Sequence, residues 1–334
     1  MSSVSILVPV YKAEKYIERC TVSLFAQTYP DLEFVFIDDC SPDKSIEVLL
    51  RVLEAYPKRK ERTRIIRNEN NLGAAASKNI AISNATGTFI CFVDADDWIE
   101  LDAIEKLIGC YESTRADVIW GQMDLYTKDG IVTIAEPRYK DKHEWLTSYI
   151  GELCNEAYLS NSRRIIRREL VESNHIRMER GLNYSEDRLF MTRVAYYAQS
   201  FSIMDETVYH YNKINQESQT EKRVDEAGLV NRYGQIIGNL QNIEDFFSGK
   251  EREYYVTAVT TKLKVLKNVM DTALRYPSRK LFRMAVSRIN GTDPAYWYVI
   301  DWNRSKAWRV LHSNYVYRRL LPSFRSLLNR IKNN

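Results

Sequence analysis

Four short apolar runs alternate with three helix-patterned segments over the first hundred residues, and this alternation restricts the chain to a small set of folds. The strand-like runs cover residues 4–10, 32–37, 64–67 and 88–93; between them, residues 14–27, 43–55 and 74–84 space their apolar side chains as helices do. Ser41-Pro42-Asp43 supplies a turn and a cap for the second helix. Parallel neighbours need a crossover, and a helix is a compact one, so this β-α-β-α-β-α-β order predicts an α/β fold with a Rossmann-like, mostly parallel sheet flanked by helices. Ligands of such sheets bind beyond the carboxyl ends of the strands. Here three of those ends carry Pro9-Val10-Tyr11, Asp38-Asp39 and Asp94-Ala95-Asp96.

The last of these follows the apolar run Phe-Ile-Cys-Phe-Val at residues 89–93, so a buried strand delivers an Asp-X-Asp pair to the sheet edge. A hard divalent cation, Mg²⁺ or Mn²⁺, accepts a few carboxylate oxygens and completes its shell from water or a diphosphate. A nucleotide is therefore the expected ligand. The phosphatase signature with a nucleophilic first Asp is an alternative, but that pattern sits on a first strand; here the pair ends the fourth and continues into Asp97-Trp98. A purely structural pair of acids is a second alternative.

The 334 residues suggest about two structural regions, and 45% hydrophobic with 28% charged residues fits a soluble globular chain. No run approaches the roughly 18 apolar residues of a membrane span, and Met1 leads into a strand without a basic leader, which points to the cytoplasm. Five cysteines (Cys20, Cys40, Cys91, Cys110, Cys154) show no C-x-x-C spacing, so reduced thiols are expected rather than disulfides or zinc. Residues 301–334 hold eight basic side chains against one acid, a surplus of seven that exceeds the chain's net +4 and leaves the remainder slightly acidic. Attraction to polyanions is thus local to the C-terminus, and nucleic acid is not an expected partner.

Beyond residue 102, a helix to about residue 113 precedes a strand over 117–126, and Lys128-Asp129-Gly130 forms a hairpin turn into a strand over 131–135. Residues 136–215 mix strand and helix signals, and 136–180 show no interpretable pattern. Residues 227–275 are helical with polar faces. A domain boundary is placed near residue 220, give or take about ten. This gives a domain over 1–220, with a nucleotide-binding half (1–100) and a second half (101–220) that would face a second substrate, followed by a helical C-terminal region over 221–334.

Six strings in this order, residues 5–11 (Ser-Ile-Leu-Val-Pro-Val-Tyr), 36–41 (Phe-Ile-Asp-Asp-Cys-Ser), 71–79 (Asn-Leu-Gly-Ala-Ala-Ala-Ser-Lys-Asn), 87–97 (Gly-Thr-Phe-Ile-Cys-Phe-Val-Asp-Ala-Asp-Asp), 184–190 (Tyr-Ser-Glu-Asp-Arg-Leu-Phe) and 209–218 (Tyr-His-Tyr-Asn-Lys-Ile-Asn-Gln-Glu-Ser), resemble the inverting glycosyltransferases of family 2, whose fold is GT-A. The resemblance implies that Pro9 and Tyr11 form the wall for the donor's base, with Asp39 accepting a hydrogen bond from it and Asp38 nearby. It implies Asp96 as metal ligand, with Asp94 reaching the ribose or a metal-bound water. Asp187 is implied as the general base and Glu186 as a residue that orients the site or binds the acceptor. Two acids at a helix start also suit the helix dipole alone. Lys78 stands where the family typically has Arg, which keeps the charge and loses the planar fork, so either donor contact or a bridge between acids is open. His210, Lys213 and Ser218 are implied contacts to the donor phosphates, though a His beside two tyrosines also suits packing.

The expected reaction moves a sugar from a nucleoside diphosphate, most naturally UDP, to a hydroxyl of a saccharide or lipid-linked saccharide. A nucleotidyltransferase on a related fold is an alternative, but Tyr11-Lys12-Ala13-Glu14 lacks the glycines of a phosphate loop; a non-catalytic nucleotide-sugar-binding subunit is another. Near the C-terminus, Val316, Leu320, Leu321, Phe324, Leu327, Leu328 and Ile331 form an apolar stripe with Arg318, Arg319, Arg325, Arg330 and Lys332 on other faces. Such a helix suits an anionic membrane surface as a peripheral contact; packing on the core or in a homodimer is equally open.

Overall fold

In the computed structural model, residues 2–135, 138–151, 160–182, 184–215, 225–275, 278–293 and 296 are described. The chain divides into two compact units, residues 1–149 with 155–222, and residues 150–154 with 223–334.

The first unit is built on one mixed sheet. Strands β1 (Val4–Val10), β2 (Leu32–Asp38), β3 (Thr63–Arg67) and β4 (Phe89–Phe92) are mutually parallel in the order β3-β2-β1-β4. Helices α1 (Ile17–Phe25), α2 (Ser45–Glu54), the short α3 (Pro57–Lys60) and α4 (Ala74–Asn84) make the crossovers. The apolar runs become strands because they are buried along their length: Ile6, Val8, Phe34, Phe36, Phe89 and Ile90 are all fully buried. Phe25 of α1 packs edge-on against Phe34 at 5.1 Å, pinning helix to sheet. Because β1 lies between β2 and β4, the strand order reverses on either side of it, and a crevice opens at its carboxyl end.

Past β4 the sheet turns mixed. After β5 (Trp98–Ile99) and α5 (Ala103–Thr114), β6 (Val118–Thr127) and β7 (Gly130–Ile134) form the expected hairpin, followed by α6 (Lys142–Gly151). Strand β8 (Arg164–Arg167) runs antiparallel to both β4 and β6 and joins the two halves of the sheet; α7 (Arg168–Ser173), α8 (Glu186–Tyr197) and β9 (Phe201–Asn212) complete it. β9 pairs parallel with β6 and antiparallel with β5. The mostly parallel expectation thus describes the first hundred residues, while β8 enters against its neighbours.

The second unit contains α9 (Glu226–Phe247), α10 (Arg252–Arg275) and α11 (Arg279–Asn290). Asp225 and Ser278 cap the first and last by accepting from the amides of Gly228 and Leu281. Their shared core includes Ile237, Val259, Leu263, Leu266, Met270, Leu281 and Ala285. The basic C-terminal stripe lies outside the described residues. No helix among those described is long and apolar enough to cross a membrane.

Candidate active site

The register of the parallel strands decides which side chains meet. Val10 pairs with Asp38, and the Asp39 amide donates to the Val10 carbonyl, so Tyr11 and Asp39 leave the sheet side by side. The β1–β4 ladder ends at Leu7 and Phe92, two residues before Pro9, which has no amide to offer it. The Val93 amide donates to Leu7, so Asp94 emerges on the same edge. Tyr11 is 43% exposed there, an aromatic face open to a ligand.

The two acids of β2 serve different ends. Asp38 is buried; it accepts from the Ser41 amide at 2.8 Å and lies 3.4 Å from the Arg67 guanidinium, so it fixes the turn. Asp39 accepts from Asn68 Nδ2 and from the Leu72 and Gly73 amides, each at 2.8 Å. It thereby holds the loop before α4, where Gly73 (φ 86°, ψ 165°) takes a conformation only glycine tolerates easily. A carboxylate has about four acceptor positions, so roughly one remains open on Asp39.

The β4 end is an acidic corner stitched to β9. Asp97 is buried and accepts from the Tyr209 hydroxyl at 2.6 Å and the Asn212 amide at 2.8 Å, while Tyr209 in turn accepts from the Asp94 amide. Asp96 accepts from Asn215 Nδ2 at 2.8 Å. Burial, followed by the neighbouring Asp96 and Asp94, pushes the Asp97 carboxyl well above the usual range. Burial also raises Asp96, with Asn215 and the Arg19 guanidinium opposing it. The Arg19 guanidinium lies 3.3 Å from the centre of the Trp98 ring, within range of a cation–π contact. Asp94 keeps about a third of its side chain exposed, yet desolvation in the crevice outweighs the nearby Lys78 and pushes it up to about 6.

Lys78, 3% exposed on α4, draws this corner to the start of α8. Its Nζ lies 2.9 Å from Asp187 Oδ1, 3.4 Å from Glu186 Oε1 and 3.9 Å from Asp94 Oδ1. Burial alone would discharge the lysine, but Asp187, Asp94 and Glu186 together raise its pKa and keep it protonated. Glu186 is pushed up to about 7 by burial, against Lys78 and reinforced by Asp187. Asp187 also accepts from the Asn161 amide at 3.3 Å. Residues 108 or 109 positions apart in sequence thus share one cluster.

His210 lies elsewhere. It is buried in β9, stacked on Trp98 at 5.1 Å, with Nε2 against Glu100 at 2.8 Å, so it packs the sheet rather than facing the crevice. Lys213 follows β9 and is partly buried; Ser218 lies outside the described residues. Sequence reasoning passed over Asn215, Asp97, Arg19 and Asn161. Asn215 and Asp97 stand inside quoted strings, but their roles need the tertiary pairing to be seen. Among the described residues no three His, Cys, Asp or Glu side chains form a metal cage; the hard oxygen donors here are Asp94 and Asp96.

The profile of Glycosyl transferase family 2 matches residues 5–209, more than half of the chain. The chain belongs to that family. An uncharacterized glycosyltransferase of Bacillus subtilis, EpsJ, is 30% identical over 230 residues, 65% of this chain and 63% of EpsJ. The poly(ribitol-phosphate) beta-N-acetylglucosaminyltransferase TarS of Staphylococcus aureus is 28% identical over 214 residues, 63% of this chain and 35% of TarS. The chain spans less than two thirds of either relative's own length. Among solved structures, TarS residues 1–349 in complex with UDP-GlcNAc match with a TM-score of 0.55 at 23% identity, covering 87% of this family 2 chain and 92% of the other. The mannosyltransferase PcManGT of Pyrobaculum calidifontis, in complex with GDP-Man and Mn²⁺, matches with 0.52 at 16% identity, covering 92% and 85%. These likenesses establish the GT-A fold.

Proposed function

We propose that this chain is an inverting glycosyltransferase that moves a sugar from a UDP-linked donor to a hydroxyl of a saccharide or lipid-linked saccharide. The observation that carries the reading is the cluster at the switch point, where Lys78 gathers Asp94 from the donor side and Glu186 and Asp187 from the acceptor side. Tyr11 and Pro9 would flank the base. Asp39, with about one acceptor position left, suits the single ring N–H of uracil better than the adjacent pair of donors on guanine. TarS, a relative with a UDP-GlcNAc complex, agrees with that choice.

Asp187 takes the role of general base. It would accept the proton of the acceptor hydroxyl as that oxygen attacks the anomeric carbon from the face opposite the diphosphate. Lys78 and the Asn161 amide hold the carboxylate in position, and Glu186 orients the acceptor. A divalent cation fits the residues present: Asp94 and Asp96, only partly buried beyond the end of β4, are hard carboxylate donors, and Asp97 adds a third carboxyl beside them. Asp96 would hold it, with Asp94 beside it. Bound there, such an ion supplies neutralisation of the charge on the departing diphosphate.

Asp187→Asn is expected to leave UDP affinity within about twofold while transfer falls by roughly 10²–10⁴, the usual worth of a general base; retained turnover removes the assignment. Asp96→Ala should abolish the Mn²⁺-dependent part of UDP binding in calorimetry. GDP bound more tightly than UDP would overturn the donor choice.

A further inference from the structure

An open groove of about 550 Å³ lies on the helical flank of the first unit, lined on one side by Asn79, Ile80, Ser83 and Asn84 of α4. The facing wall is the 177–180 loop together with Arg193 of α8. Positions 79, 80, 83 and 84 share one face of α4. The side chain of Asn79 clamps the loop to that face: its Nδ2 donates to the Met178 carbonyl at 2.8 Å, and the Met178 amide donates to its Oδ1 at 2.9 Å. The two walls are therefore preformed.

Three guanidiniums, Arg177, Arg180 and Arg193, stand in this wall. Arg177 pairs with Glu172 at 2.7 Å, and Arg193 donates to the Arg177 carbonyl at 3.2 Å with Glu179 as an opposing charge. Arg193 is partly desolvated, and burial lowers its pKa against that opposing charge. Arg180 is exposed and makes no hydrogen bond or ion pair with the described residues. Counting both carboxylates, Arg180 is left as a cation without a partner among the described residues, and Ser83 contributes a hydroxyl to the opposite wall. Forked guanidiniums match tetrahedral and planar oxyanions better than lysines do. The volume lies within the usual range for small-molecule sites and holds a phosphate with several attached carbons.

The groove is separate from the carboxylate cluster. None of Lys78, Asp94, Glu186 and Asp187 lines it; the groove begins beside Asn79, and its far residues, Ser83 and Arg193, lie five past Lys78 and six past Asp187, roughly 7–9 Å along their helices.

We propose that this groove is a second anion site, which binds a phosphate-type oxyanion independently of the donor diphosphate. Its two sources are free inorganic phosphate and a phosphodiester carried by a larger molecule. Calorimetric titration of the full chain with inorganic phosphate, and separately with glycerophosphoglycerol, tells them apart. Saturable phosphate binding alone assigns the free ion; tighter binding of the diester assigns the larger molecule. Arg180→Glu should weaken whichever probe binds at least tenfold, and Ser83→Asp, an exposed position on the opposite wall, should do the same. UDP affinity with Mn²⁺ should stay within twofold in both variants, so this outcome is read separately from the donor assignment. No saturable binding of either probe, or unaltered binding in both variants, overturns the proposal.

Discussion

Replacing Lys78 with methionine removes the ammonium that Asp94, Glu186 and Asp187 share, in a volume similar to that of the lysine stem. Removing one partner of a buried ion pair costs about 3–5 kcal/mol because the other charge stays buried and unpaired. Here three carboxylates lose a partner, two of them with side chains under a fifth exposed. The loss must depend on pH. With Lys78 present, Asp94 and Glu186 already hold protons up to about 6 and about 7, and without it both values rise further. An acid whose folded pKa lies above its unfolded value stabilises the protein at low pH, and that contribution is lost as pH climbs through the folded value. At pH 5.5 most of the cluster can protonate, and the variant should lose only about 1–2 kcal/mol; at pH 8.5 it should lose the full 3–5 kcal/mol. At roughly 2–4 °C per kcal/mol for a unit of this size, the midpoint should fall by about 6–20 °C at pH 8.5. Scanning calorimetry of both proteins at the two pH values reads this directly. An equal loss at both, or a larger one at pH 5.5, refutes the view that Lys78 exists to offset these acids.

Glu186→Gln should do the opposite: lifting a carboxyl from 4.5 to about 7 costs up to about 3 kcal/mol above pH 7, so the variant should melt higher at pH 8, with the gain vanishing below about pH 4.5. Gly73→Ala forces a side chain into a conformation that costs about 1–3 kcal/mol, and it should lower the midpoint by a few degrees and weaken UDP binding by loosening Asp39. Unchanged values in both readouts would show that the loop does not depend on that glycine.

The first hundred residues were legible because buried parallel strands read as unbroken apolar runs, and because a strand end that turns acidic is a departure no core would favour. The ends of the helices were less so: α1 begins at Ile17 rather than near Glu14, since Glu14 accepts from the Lys44 amide and belongs to the loop. The Ser160–Arg164 stretch lies where the sequence shows no interpretable pattern, yet Asn161, Ser162, Arg163 and Arg164 are buried. Their placement follows from β8 inserting between β4 and β6, pairings across roughly 75 and 45 positions that no local pattern encodes. The Lys78 cluster is similar. Its members stand in separate strings whose meeting depends on α4 and α8 reaching the same edge. His210, whose ring stacks on Trp98, shows the converse, a polar residue in a quoted string that serves packing.

The position of β4 also bears on synthesis. One side of this Phe-Ile-Cys-Phe strand is satisfied as soon as β1 is present, but the other waits for Ile166 and Arg167. On a ribosome adding about 5–20 residues per second, this strand, internal in the finished sheet, would stand as an unpaired edge of the nascent one for roughly 4–15 s. Such an edge is a template for a neighbouring chain. Yield in a cell should therefore hinge on how quickly β8 emerges, or on a chaperone that shields the gap until it does.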